Sequence, residues 1–107
     1  MLNKKTCVPC KGGIPPLTDK EIAPFLKEIS VGWTLIENKQ IEKTYTFSTY
    51  LEGIAFCNKV AELSEAEGHH PYIHINYKEV KIILFTHKIN GLHENDFIVA
   101  SKCDLLL

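Results

Sequence analysis

The chain has 107 residues, of which 45% are hydrophobic and 23% are charged, a composition typical of one ordinary globular domain. A chain of this length can bury a modest core without disulfides or structural metals. The formal net charge of -1 argues against a general electrostatic affinity for nucleic acid or for an anionic membrane. No apolar run is long enough for a signal peptide or a transmembrane helix, so we expect a cytoplasmic protein.

Residues 1–16 are predicted to form an N-terminal arm, and residues 17–107 the folded domain. Within the arm, Cys7-Val-Pro-Cys10 has the spacing of half a zinc site or of a redox motif. The sequence has no second C-x-x-C pair, and the flanks are a polar tail and a Gly/Pro-rich run. We therefore expect a loosely ordered arm, with a metal or redox role as the alternative. Cys57 and Cys103 fall inside helical patterns and are expected to be small core residues.

Capping boxes and hydrophobic periodicity divide the rest of the chain into helices and strands. Thr18 with Glu21 and Thr49 with Glu52 mark two helix starts, and Gly68 takes the usual place of a left-handed cap. In chain order we expect a helix over 18–28, strands over 33–37 and 40–47, a helix over 49–67, strands over 72–77 and 80–86, and a helix over 94–104.

The order of these elements, α-β-β-α-β-β-α, predicts the fold class. Turns at Asn38-Lys39 and Lys78-Glu79 would make a hairpin of each strand pair. Two hairpins separated by a long helix predict a single α+β domain, with helices packed on one face of a four-stranded antiparallel sheet. Ile83 and Phe85 place apolar side chains on the second face of the last strand, which indicates a homo-oligomer in which a partner chain covers that face.

All five histidines lie between positions 69 and 93. His69 and His70 occupy the loop after the long helix, and Pro71 forces an extended backbone on His70, which separates the two imidazoles. The predicted hairpin turn lies roughly midway between Pro71 and His87, so the hairpin returns His87 to the side of the other two. Because imidazole gives and takes protons near neutral pH, this convergence predicts a site for acid–base chemistry.

Other interpretations of the polar residues in this region are open. Taken singly, His74 and His93 are expected to be surface or cap residues. The three converging histidines could bind zinc, but adjacent histidines rarely point at one ion, so we expect no metal. Glu65 lies on the last turn of the long helix, where an acid is unfavourable with the helix dipole, and this favours a role in ligand binding. Asp96 is expected to cap the first turn of the last helix.

A spaced set of residues resembles the signature of the pterin-4a-carbinolamine dehydratases: Glu65, His69-His70-Pro71, Tyr77, His87 and Asp96. Further segments sit where that family has them: Gly32-Trp33, Thr86-His87, Gly91-Leu92, and the Cys7–Cys10 arm with Pro16-Leu17. The resemblance covers nearly the whole chain, and the Glu–His-His-Pro–Tyr–His–Asp pattern is highly specific.

The resemblance implies both an activity and a set of site residues. Family members form dimers or tetramers and use no metal or organic cofactor. They dehydrate 4a-hydroxytetrahydrobiopterin to quinonoid dihydropterin, which recycles the cofactor of aromatic amino-acid hydroxylases and makes such a hydroxylase a pathway partner. By analogy, the catalytic set is His69, His70 and His87. The substrate-binding residues implied in the same way are Glu65, Gly68, His69, His70, Phe85, Thr86, His87 and Lys88.

The sequence departs from the family pattern at three positions. Gly68 lacks the polar side chain often found there, and Phe85 is bulkier than in some relatives. His93 replaces the usual threonine cap, so the last helix is expected to start more loosely. Some animal members also bind a homeodomain transcription factor, which makes a non-catalytic protein-interaction module the second hypothesis. The joint presence of the three histidines favours the enzyme.

Overall fold

The computed structural model describes residues 1–9 and 12–107. It contains α1 (Asp19–Glu28), β1 (Thr34–Ile36), β2 (Gln40–Thr46), α2 (Tyr50–Glu67), β3 (Tyr72–Asn76), β4 (Glu79–Leu84) and α3 (Glu94–Cys103). Short 3-10 helices cover Leu2–Lys4, His87–Ile89 and Asp104–Leu106. All strand pairs are antiparallel and the sheet order is β1-β2-β4-β3. The predicted fold class, an α+β domain with a four-stranded antiparallel sheet, is confirmed.

The helix starts follow from the capping residues that the sequence predicts. Thr18 and Thr49 each accept a hydrogen bond from the backbone N–H three residues later, and the partner glutamate bonds back to each cap. Gly68 ends α2 with φ 67°, in the left-handed region that glycine adopts without a steric penalty. Contrary to expectation, α3 starts with a complete cap, because His93 Nδ1 accepts a hydrogen bond from the Asn95 N–H.

The core lies between one sheet face and the three helices. The central strands supply alternating buried residues, including Ile41 and Tyr45 on β2 and Ile82 on β4. Lys43 interrupts this alternation because its ammonium reaches Asp104 at 2.8 Å, at the end of the last helix. An apparent defect in the apolar pattern is therefore a partly buried ion pair. The side chains of Cys57 and Cys103 are buried, as expected for small core residues.

One predicted turn is wrong by a residue. The hairpin between β3 and β4 turns at Tyr77 and Lys78, not at Lys78-Glu79, because Asn76 pairs with Glu79. Tyr77 takes the left-handed conformation with φ 53° that this tight turn requires. The first hairpin turns over three residues, which include the predicted Asn38-Lys39 pair, because Ile36 pairs with Gln40.

The prediction of a loosely ordered arm is wrong for residues 1–9. Leu2 is only 2% exposed and belongs to the core cluster. The Cys7 N–H donates to Glu67 on α2 at 2.8 Å. Burial of one leucine and bonds from the arm backbone hold this segment against the domain. The other cysteine of the motif, Cys10, lies outside the described residues. Within the part of the chain that the structure describes, no helix is both long and apolar enough to cross a bilayer.

Candidate active site

A cavity of about 370 Å³ opens where the end of α2, the end of β4 and the start of α3 meet. Its lining consists of Val8, Pro9, Gly68, His69, His70, Phe85, Thr86, His87, Lys88 and Asn95. The structure thus brings together the three histidines and four more of the predicted substrate-binding residues. Glu65 does not line this cavity.

Local backbone geometry explains why the histidines meet. The left-handed turn at Gly68 ends α2 and sends the chain into His69, whose N–H still bonds to the Ser64 carbonyl at 3.2 Å. The β3–β4 hairpin then pairs Tyr72 with Ile83, near the cavity. His87 follows shortly after β4, at the start of a 3-10 helix. The convergence that the hairpin predicts is present in the structure.

His69 is oriented by a buried carboxylate. Its Nε2 lies 2.6 Å from Oδ1 of Asp96, whose side chain is fully buried. The other oxygen, Oδ2, accepts hydrogen bonds from Thr86 Oγ1 at 2.8 Å and from the His93 N–H at 3.0 Å. Because a carboxylate only accepts hydrogen bonds, Nε2 of His69 carries a proton and Nδ1 becomes the basic nitrogen of the neutral ring.

Asp96 therefore has a second role that the sequence does not reveal. The bond to the His93 N–H is the capping role expected from its position in α3. The bond to His69 makes it a positioning residue for the candidate site as well. The family signature contained Asp96 and was the signal that could have indicated this role.

His70 has a similar but exposed partner. Its Nε2 lies 2.6 Å from Oε2 of Glu65, and the two side chains are 59% and 79% exposed. Water competes for both groups at such exposure, so the pair orients His70 far more weakly than Asp96 orients His69. Glu65 meets one of the histidines that line the cavity, which places it beside the cavity and not in its wall.

His87 belongs to an aromatic cluster. The hydroxyl of Tyr72 lies 2.8 Å from Nε2 of His87, and the two rings meet edge to face. The ring of Phe85 packs against His87 with a centroid distance of 4.3 Å. Tyr72 is a site residue that the sequence analysis missed, because its place at the start of β3 indicated only a strand position. Its contacts make it a positioning residue for His87.

The other two histidines lie apart from the cavity lining. His74 is exposed on β3, opposite Lys81 of β4. His93 caps α3. Both placements agree with the expectation of surface and cap roles. Within residues 1–9 and 12–107, no cluster of three or more histidine, cysteine or acidic side chains could hold a metal ion.

The described cysteine of the arm is a poor nucleophile. Burial, followed by the nearby Glu67 carboxylate, raises the pKa of the Cys7 thiol to about 12. At neutral pH this residue is a protonated thiol, and its Sγ contacts the Asn95 carbonyl oxygen at 3.7 Å. This packing role disfavours the redox alternative for Cys7.

Comparison with known proteins identifies the family of this chain. Residues 15–106 match the family model described as pterin 4 alpha carbinolamine dehydratase. A protein of Rickettsia bellii that is assigned by name to this family is 45% identical over 105 residues, which cover 98% of this chain and 93% of the relative. A protein of Methylococcus capsulatus with the same assignment is 47% identical over 98% of this chain and 92% of its own length. The chain belongs to the pterin-4-alpha-carbinolamine dehydratase family.

Solved structures agree with the fold and widen the range of functions. A transcriptional coactivator/pterin dehydratase from Brucella melitensis superposes with a TM-score of 0.79 at 27% identity, covering 85% of this chain and 97% of that one. A pterin dehydratase-like protein identified as a RuBisCO assembly factor in the alpha-carboxysome has a TM-score of 0.60, also at 27% identity. It covers 70% of this chain and 88% of its own. The fold is therefore shared by proteins whose names describe different functions.

Proposed function

We propose that this protein dehydrates 4a-hydroxytetrahydrobiopterin to quinonoid dihydropterin by histidine acid–base catalysis, as a hydro-lyase of tetrahydropterin recycling. One observation carries the proposal: three histidines line a single cavity, and a ring nitrogen of each contacts a side chain that can orient it. The volume of about 370 Å³ falls within the range of small-molecule sites. Family membership supplies the substrate class.

The reaction needs the proton transfers that imidazoles perform. The bond between C4a and the hydroxyl oxygen breaks, and a general acid protonates that oxygen so that it leaves as water. The N5 proton passes to a general base, and its electron pair forms the double bond between N5 and C4a. One group has then lost a proton and another has gained one, so a proton transfer between them or with solvent restores the site. Each well-placed acid or base contributes roughly 10²–10⁴ in rate.

The remaining cavity residues are proposed to bind the pterin. Gly68, Phe85, Thr86 and Lys88 line the cavity beside the histidines. Gly68 has no side chain, so it offers only its backbone to a ligand. Glu65 is proposed to accept hydrogen bonds from the pterin ring, which would require its carboxylate to leave His70 or to share it.

A stopped-flow assay of carbinolamine dehydration tests the function. We expect the wild type to exceed the spontaneous rate, and His69→Ala, His70→Ala and His87→Ala each to lower kcat/KM. His74→Ala is the matched control, because His74 is an exposed histidine outside the cavity lining. No rate above the spontaneous reaction in the wild type would refute the enzyme. Full activity in all three cavity variants would refute the site instead.

The alternative function is a non-catalytic interaction module. The observation that supports this alternative is the similar fold of the RuBisCO assembly factor. Such a module does not need three oriented histidines around one cavity, so the geometry favours the enzyme. A wild-type protein that neither binds a dihydropterin nor accelerates dehydration would favour the module.

We further propose that the protein acts as a homodimer or homotetramer, with an aromatic amino-acid hydroxylase as its pathway partner. Ile83 and Phe85 are only partly covered on the sheet face away from the helices. Tyr72, which pairs with Ile83 across the strands, is also exposed. Sedimentation equilibrium checks the assembly: a mass near 12.1 kDa at micromolar concentration would contradict it.

A further inference from the structure

The arm enters the candidate site from outside the segment that the family model matches. The family model begins at residue 15, whereas Val8 and Pro9 line the same cavity as the histidines. Two anchors that precede this point hold the arm in place. Leu2 is buried in the core, and Lys5 pairs with Glu94 at 2.6 Å. The cavity is thus completed by residues that the matched family segment does not contribute.

Asn95 attaches the arm at the cavity. Its Oδ1 accepts a hydrogen bond from the Val8 N–H at 3.1 Å, and its Nδ2 donates to the Val8 carbonyl at 2.6 Å. Asn95 is only 2% exposed, so water competes little for these bonds. One residue earlier, the Cys7 N–H donates to Glu67, which also pairs with Lys102 at 2.7 Å. The arm backbone at the cavity is therefore fixed by two buried or partly buried side chains.

These hydrogen bonds determine which groups of the arm are available to contact a ligand. The Val8 N–H and carbonyl are already engaged by Asn95, and Pro9 has no N–H. Neither residue therefore has a backbone N–H left to donate to a ligand, and the side chains they present are apolar. Val8 is 57% exposed and lines the cavity. The arm therefore forms an apolar wall in a cavity whose other lining residues include three histidines and Lys88.

We propose that Val8 and Pro9 form a selectivity wall that packs against the non-reacting part of the pterin, its ring substituent, and that Asn95 positions this wall. The proposal rests on the proposed function, because it concerns the same cavity. Apolar side chains cannot transfer protons, so the wall contributes binding that is equal in the ground state and the transition state. Because Asn95 holds the arm in place before binding, no loop needs to be ordered when the ligand enters.

This assignment predicts a change in KM with little change in kcat. Val8→Ala removes two methyl groups from the wall, and we expect KM for 4a-hydroxytetrahydrobiopterin to rise about threefold to tenfold. The same substitution should affect a pterin with only a methyl substituent less, because less of that ligand reaches the wall. Asn95→Ala releases the arm and should reproduce or exceed the effect of Val8→Ala.

Calorimetric binding of dihydrobiopterin and of a methyl-substituted dihydropterin provides the test. The variants are Val8→Ala and Asn95→Ala, with Val31→Ala as the matched control, because Val31 is 96% exposed and does not line the cavity. We expect Val8→Ala to weaken dihydrobiopterin binding about threefold to tenfold and to narrow the preference between the two ligands. Val31→Ala should bind like the wild type.

The outcomes separate the two proposals. The selectivity wall is overturned if the wild type binds dihydrobiopterin and Val8→Ala binds each of the two ligands as tightly as the wild type does. That result leaves the proposed function intact. A wild type that binds neither pterin refutes the proposed function, and the wall as a pterin-binding element falls with it. If Asn95→Ala fails to fold, which its thermal unfolding would reveal, Val8→Ala still decides the matter.

Discussion

Replacing Asp96 with asparagine tests whether a buried carboxylate controls the proton position on His69. The variant keeps the side-chain shape but has only one oxygen. If that oxygen takes the place of Oδ2, the bonds from Thr86 and from the His93 N–H survive. The amide NH₂ then faces Nε2 of His69, which must become an acceptor, so its proton moves to Nδ1. Asp96→Asn therefore reverses the donor and acceptor ends of the imidazole.

The structure sets the size of the two expected effects. A hydrogen bond to a charged group contributes about 1.5–3 kcal/mol, and the fully buried position of Asp96 prevents water from replacing it. We expect the free energy of unfolding to fall by about that amount. Because His69 would present the wrong nitrogen for proton transfer, we expect kcat/KM to fall by about 10²–10⁴.

Stopped-flow kinetics and urea unfolding at neutral pH measure the two effects, and nitrogen NMR of the His69 ring reports its tautomer. Asp104→Asn is the matched control, since it is the same substitution at a partly buried aspartate away from the cavity. The control should lose stability and keep kcat. If Asp96→Asn is destabilised like the control and yet keeps kcat/KM within threefold of the wild type, the proposed control of His69 by Asp96 is wrong.

Three further predictions concern the positioning of His87, the stability of the fold in acid, and the close contact between Gly91 and Pro16. Tyr72→Phe removes the hydroxyl on His87 and should lower kcat/KM about threefold to tenfold and shift its pH profile; an unchanged profile would exclude a positioning role. Burial alone would raise the pKa of the Asp104 carboxyl, but its hydrogen bonds hold the pKa below the usual 3.8. Its stabilising contribution is therefore complete above about pH 4 and lost as pH falls through the lowered pKa, so urea unfolding should show wild type and Asp104→Asn converging only in acid. A Cβ at Gly91 would lie 2.5 Å from Cβ of Pro16, so Gly91→Ala should cost about 1–3 kcal/mol in urea unfolding; no loss would show that Pro16 moves aside freely.

Local signals in the sequence predicted most of the fold. Two capping boxes and the glycine at the end of α2 are patterns within a few residues, and the structure places all three as expected. The predicted position of the β3–β4 turn was wrong because two adjacent residue pairs, Tyr77-Lys78 and Lys78-Glu79, could each form the turn. Only the cross-strand pairing of Asn76 with Glu79 selects between them, and that pairing depends on contacts with the rest of the sheet.

The candidate site was predicted in part, for a similar reason. The hairpin argument brings His87 to His69 because both flank a short, regular strand pair. The contact of Asp96 with His69 could not be predicted from the local sequence. A capping role already explains an acidic residue at this position, so nothing in the pattern indicates a second partner. The contact between Val8 and Asn95 joins residues 87 positions apart, and no local pattern reports a contact at that separation.

The first turn of α3 connects the two halves of the cavity. Asp96 holds His69, which lies where proton transfer is proposed, and the neighbouring Asn95 holds Val8, which lies where the apolar wall is proposed. His93 closes the same turn by accepting from the Asn95 N–H and donating its own N–H to Asp96. Loosening this cap should therefore raise KM and lower kcat together, whereas Val8→Ala should change only KM and Tyr72→Phe mainly kcat. If the first turn of α3 contacted neither His69 nor Val8, loosening its cap would not change KM and kcat together.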